Sequence, residues 1–194
     1  MQAQNIAQER GQQQVDALHL VYALLSQEDS VILTLFQKIG ADGEGLKRRV
    51  DMALTKMPIS SAVSPFGQFY LTQDLARVLE RARQEAAKMG DEYISVEHLF
   101  LALLDTESKA RELLEKTSFI QQGDAEGKGF EFQKLTYERA LTVLAEIRGG
   151  VKITDPAPES KYQVVEKYAR NLTRLAEQGK LDPVIGRENE IRRL

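Results

Sequence analysis

The stretch Asp16-Ala17-Leu18-His19-Leu20-Val21-Tyr22-Ala23-Leu24-Leu25 recurs as Ser95-Val96-Glu97-His98-Leu99-Phe100-Leu101-Ala102-Leu103-Leu104. The two histidines set the offset at 98 − 19 = 79. The match runs backwards, Val15 to Ile94, Gly11 to Gly90 and Ala7 to Ala86. It runs forwards with a one-residue slip, Leu35-Phe36-Gln37-Lys38 to Leu113-Leu114-Glu115-Lys116. An internal repeat of this length means two copies of one supersecondary unit.

The period within each copy is helical. Ala17, Leu20, Val21, Leu24 and Leu25 are spaced by three and four, as are Val96, Leu99, Phe100, Leu103 and Leu104. Asp16 and Ser95 stand where an N-cap belongs, each with a side-chain oxygen for the free N–H groups of a first turn. Gly11 and Gly90 stop the preceding helices. The reading is an all-α chain of two pseudo-symmetric four-helix repeats. Helices are predicted at 1–10, 17–28, 30–39 and 43–57, then at 73–89, 96–105, 109–119 and 134–148. Thr72 caps the helix at 73–89, whose apolar stripe is Leu75, Val78, Leu79, Ala82 and Ala86.

Repeat 1 with its connector occupies 1–70 and repeat 2 occupies 71–148. The copies differ at two places. The first helix of copy one lacks about eight residues that copy two has, so the counterparts of Leu75, Val78 and Leu79 are missing, and Met1 reads as a clipped or internal start. Copy two carries an insertion from Ile120 to Phe132 whose three glycines predict a mobile loop. Beyond it, 149–160 is a linker by its Gly and Pro content. Ser160 opens another helix with Gln163 completing a capping box. Val165, Tyr168, Leu172 and Leu175 line one side of it, and Gly179 ends it. The segment 161–194 is then a further, incomplete unit.

Composition narrows the function classes. Apolar residues make up 42% and charged residues 28%, with both signs interspersed, so the chain can build a core. A net charge of −3 gives no electrostatic pull towards nucleic acid or an anionic membrane. There is no cysteine, which removes disulfide, thiolate-metal and cysteine-nucleophile chemistry and fits a reducing, cytoplasmic setting. No apolar run reaches the ~20 residues a bilayer requires.

Catalytic constellations are missing too. The stretch Gly123-Asp124-Ala125-Glu126-Gly127-Lys128-Gly129 is not a phosphate-binding loop: it has three residues between glycines instead of four, and Gly where a Ser or Thr must hold magnesium. His19 and His98, the two histidines, have no further ligands at metal-binding spacing, and no Gly-x-Ser-x-Gly elbow accompanies them. Their matched places in the first turns of matched helices predict a role in closing those helix starts. Glu80, Glu85 and Glu112 alternate with Lys and Arg and are expected on solvated faces.

Two copies of a Gly…His-Leu…Ala-Leu-Leu unit resemble the Clp-N domain of the Clp ATPase family. The segment from Tyr168 to Arg187, with Asn171-Leu172, Gln178-Gly179-Lys180-Leu181-Asp182-Pro183 and Val184-Ile185-Gly186-Arg187, resembles the start of the first AAA+ module of ClpB-type disaggregases. The repeat alone is shared with the ClpC and ClpA branches. The resemblance covers nearly the whole chain and implies a stress-response chaperone. Its parent is expected to be a hexameric ATPase that uses ATP and magnesium, threads unfolded or aggregated protein through a pore, and works with the Hsp70 system. It implies that Val184 and Ile185 contact the adenine ring in that parent. This chain alone is expected to be a monomeric binding module with no cofactor and no catalytic residue.

Client contact is expected in a groove between the repeats. Phe66, Phe69 and Tyr70, beside Pro65 and Gly67 in the connector, are either exposed anchors or a cover over the seam. Glu97 is a further candidate. ClpC-type relatives read phosphorylated arginine with a Glu just before the His of each repeat. The matching residues here are Leu18 and Glu97, so one of the two carboxylates is lost. The alternative function is an adaptor-docking domain of a ClpC-type, protease-coupled unfoldase.

Overall fold

The structure, a computed structural model, describes residues 2–27, 30–59, 69–121, 131–149 and 153. Eight helices form in the described residues: α1 (Gln2–Glu9), α2 (Ala17–Leu25), α3 (Val31–Ile39), α4 (Gly43–Thr55), α5 (Gln73–Met89), α6 (Val96–Asp105), α7 (Lys109–Glu115) and α8 (Tyr137–Arg148). Their order matches the two four-helix copies read from the sequence. The unit at 161–194, with the helix that Ser160 opens and Gly179 ends, and residues 122–130 of the expected loop lie outside the described residues. The chain divides into two compact units, 1–159 and 160–194, so both repeats belong to one body.

Local sequence sets the helix ends. The Asp16 carboxylate accepts from the Leu18 N–H at 2.9 Å, Ser30 Oγ from Ile32 N–H at 3.2 Å, and Thr72 Oγ1 from Leu75 N–H at 3.3 Å. Each replaces an intrahelical bond that a first turn cannot make. Gly11 and Gly90, at φ 66° and 70°, stop α1 and α5 in the left-handed conformation that suits glycine. After each, the next N–H reaches back into the helix: Gln12 N–H to the Ala7 carbonyl and Asp91 N–H to the Ala86 carbonyl, both at 2.9 Å.

α2 and α6 lie at the centre. Each packs on the other, and α3, α4 and α7 close around them. Burial therefore goes beyond the single stripe that the period predicts. In α2, Leu18 is 1% exposed and lost to water, whereas Leu20 is only half-buried. In α6, Glu97, His98, Leu101 and Ala102 are buried with Val96, Phe100, Leu103 and Leu104. A helix wrapped on most sides needs apolar residues on most sides. α5 keeps a stripe, but Leu79 sits at its edge and is 38% exposed, while Glu85 takes a buried place. α1 has 8 residues against 17 in its counterpart α5.

Among the described residues, four short strands accompany the helices. β1 (Gln14–Val15) pairs in parallel with β2 (Tyr70–Leu71). β3 (Ser118–Gln121) and β4 (Glu131–Lys134) form an antiparallel hairpin, with Ser118 opposite Lys134 and Gln121 opposite Glu131. The hairpin corrects three expectations. α7 ends at Glu115 rather than 119, α8 starts at Tyr137 rather than 134, and both flanks of the expected loop at 120–132 are strands. The missed signal is alternation: Phe130-Glu131-Phe132-Gln133 has the period of two that a strand needs, not the period of a helix.

Candidate functional site

Each repeat is organised around its histidine in the same way. In repeat 1, His19 Nδ1 accepts from the Asp16 backbone N–H at 2.9 Å, which closes a capping box with a histidine in the place usually held by Glu or Gln. In repeat 2, His98 Nδ1 accepts from the Ser95 backbone N–H at 3.0 Å. An Nδ1 that accepts leaves the proton on Nε2. That proton faces Gln12 Oε1 at 2.7 Å in repeat 1 and Asp91 Oδ2 at 3.0 Å in repeat 2. The offset is again 91 − 12 = 79. Both imidazoles are fully buried, and burial holds both below their ordinary pKa. They are structural hubs that tie the stop of one helix to the start of the next.

From each hub a polar link runs to the end of the fourth helix. Gln12 Nε2 donates to the Leu54 carbonyl at the close of α4, at 2.7 Å. Asp91 instead meets the guanidinium of Arg148 at the close of α8, and its Oδ1 also accepts from the Ile153 N–H at 2.8 Å. Burial pushes the Asp91 carboxyl up, but Arg148 and the Ile153 amide outweigh it and hold it below 3.8. Repeat 2 therefore keeps a charged form of a contact that repeat 1 makes with neutral groups.

Glu97 belongs to the same cluster. It is 2% exposed and its carboxylate lies 4.0 Å from Arg148 Nη1. Its counterpart Leu18 packs in the core. The expected mixture of surface carboxylates also needs a correction at Glu85. This residue is 1% exposed, accepting from Tyr137 Oη at 2.7 Å and Lys88 Nζ at 3.0 Å and lying 3.1 Å from Arg81 Nη2. A donor from α8, which the pattern of α5 cannot show, makes burial of the charge tolerable. Among the described residues no group of three or more His, Asp or Glu could hold a metal ion.

The candidate client residues fall in different surroundings. Phe69 is half-buried against Ala7, Val15 and Leu75, over the seam between α1 and α5. Tyr70 is 58% exposed, and Leu71 beside it 53%. Glu97 is interior. Phe66, Val184 and Ile185 lie outside the described residues. Sequence reading overlooked a second exposed apolar pair, Tyr93 and Ile94, just before the Ser95 cap. Its signal was the repeat itself, since both align with the β1 positions Gln14 and Val15 (93 − 79 = 14, 94 − 79 = 15). Val15 is buried in a cluster with Ala7 and Leu75, whereas Ile94 is exposed. No described helix is long and apolar enough to cross a membrane.

Duplicated helical units, each with a buried histidine hub at a matched place, define a double-repeat helical domain. The model of the Clp repeat N-terminal domain matches residues 1–117, and the chain belongs to that family. Over its full length it is 36% identical to a chaperone protein ClpB of Bacillus anthracis and 38% identical to that of Rhodopirellula baltica. It spans only about a fifth of their lengths, 21% and 20%. The crystal structure of the Hsp104 N-terminal domain from Candida albicans superposes with a TM-score of 0.63, at 19% identity, over 81% of this chain and 91% of that one. That last likeness shows a shared fold.

Proposed function

We propose that this chain is the client-facing N-terminal part of a ClpB-type disaggregase, which holds unfolded or aggregated polypeptide for ATPase modules further along the parent. The observation that carries the reading is exposed apolar surface on a folded body of this family. Tyr70, Leu71, Tyr93 and Ile94 each leave 43% or more of their surface in water, as do Met52 and Ile59. Weak, sequence-tolerant contact with an unfolded chain needs apolar side chains and no reacting group. The parent would then be a hexameric, cytoplasmic ATPase using ATP and magnesium, with Val184 and Ile185 against the adenine, acting with the Hsp70 system. Phosphate binding and turnover would sit outside these 194 residues, and the chain alone would be a monomer.

The test is titration of the chain into a labelled, permanently unfolded protein, read by fluorescence anisotropy. Binding is expected in the high micromolar range, about −5 kcal/mol, with little change on raising salt, because apolar contact is not screened. Tyr70→Ser with Leu71→Ser, or Tyr93→Ser with Ile94→Ser, should weaken it several-fold. No binding at millimolar chain would sink the reading. Tight capture of one adaptor in place of broad weak binding would favour the ClpC-type alternative.

A further inference from the structure

In repeat 1 the chain that leaves α4 returns along residues 13–15. Tyr70 N–H donates to the Gln13 carbonyl at 3.1 Å, and Thr72 N–H to the Val15 carbonyl at 3.0 Å. In repeat 2 the chain that leaves α8 returns to the matching place. The Glu92 N–H donates to the Ile153 carbonyl at 3.0 Å, and 92 − 79 = 13. The Ile153 N–H donates to Asp91 Oδ1, and Ile153 is 1% exposed. A residue that composition places in a free linker thus has its N–H and its carbonyl engaged by repeat 2 and its side chain buried.

We propose that Ile153 is a buckle that straps the outgoing chain to repeat 2, with Asp91 as its catch. The catch does not depend on the strap for its own position. Arg148 and His98 Nε2 hold the carboxylate from inside the repeat, so Oδ1 is already aimed when the Ile153 amide arrives. Docked, the outgoing chain leaves repeat 2 at Ile153. Undocked, it leaves at Gly149, four positions earlier, about 14 Å of chain at full extension. The strap therefore sets the point at which the outgoing chain departs from repeat 2. It stands whether or not the client reading holds.

The test uses the whole chain, with trypsin cleavage between Lys152 and Ile153 and amide exchange as readouts. A protease cleft takes an extended segment, so a docked Ile153 must undock before the bond is cut. In the wild type the Ile153 amide should exchange about 100-fold or more below its intrinsic rate. In Ile153→Ser the bond should be cut about tenfold or more faster, with the Leu101 and Leu103 amides of α6 protected as before. Equal cutting of the two proteins, with α6 intact in both, would overturn the strap. So would an Ile153 amide that exchanges freely in the wild type. If Ile153→Ser also loosens α6, the wild-type amide rate alone decides.

Discussion

The ring of Phe36 meets that of Phe100 edge to face, with centroids 5.9 Å apart and planes at 68°. Phe36 comes from α3 of repeat 1 and Phe100 from α6 of repeat 2, and both are at most 2% exposed. The copies therefore share a core at this point. Phe100→Ala should cost about 3–5 kcal/mol, from lost transfer energy plus a cavity. Urea unfolding followed by exchange in α2 and α6 should show both repeats melting together. Two separate transitions would contradict a shared core.

Acid should weaken the fold through the two histidine hubs. Burial, the largest cause in each case, holds His19 and His98 below 6.5 when folded. Below that pH the unfolded chain binds protons that the folded chain refuses, so stability rises with pH. The contribution is complete above about 6.5, the ordinary histidine value, and is lost as pH falls towards the folded values. Urea midpoints measured from pH 7 to 5 should fall steadily. The double variant His19→Gln with His98→Gln keeps a side-chain acceptor at each helix start but cannot titrate. Its midpoint should be flat over the same window; an unchanged slope would move the effect elsewhere.

Arg148 sits beside two buried carboxylates, Asp91 and Glu97. Arg148→Met should cost about 3–5 kcal/mol, because it leaves buried charge without its cation. Glu97→Leu installs the residue that repeat 1 carries at Leu18 and should recover part of that loss in the double variant. A double-mutant cycle by chemical denaturation measures the coupling. Strictly additive losses would show that Glu97 and Arg148 do not share their energy.

The phenol of Tyr137 should titrate late. Burial pushes it up first, the bond to Glu85 adds to that, and the result is about 12. Absorbance at 295 nm should show one tyrosine lagging the others in alkali. Tyr137→Phe should abolish that lag and cost about 1.5–3 kcal/mol, the range for a hydrogen bond to a charged group. Loss of the lag without loss of stability would mean that Lys88 and Arg81 suffice for Glu85.

The helices were legible because their punctuation is local. Gly11, Gly90, Asp16 and Thr72 act within one turn of where they stand, and the matched histidines display the duplication. The hubs were half legible. His19 and His98 match by identity, but Gln12 and Asp91 share only an acceptor oxygen, so the 79-residue offset does not flag them. Glu85 read as surface because its partner Tyr137 is 52 residues away. Ile153 lay among Gly and Pro residues, where burial has no periodic signature. As for the exposed apolar pairs, Val15 is buried against Ala7 and Leu75 while its counterpart Ile94 is exposed, and only the three-dimensional packing distinguishes the two.

The pairing of Gln14–Val15 with Tyr70–Leu71 fixes where the connector must return, just as the end of α4 fixes where it departs. The fourteen positions between Thr55 and Tyr70 can therefore be lengthened without moving either anchor. Doubling that span with a Gly/Ser insert adds only about 0.6 kcal/mol of closure entropy. A peptide tag or fluorophore site could be spliced there while leaving the register of both copies as it stands.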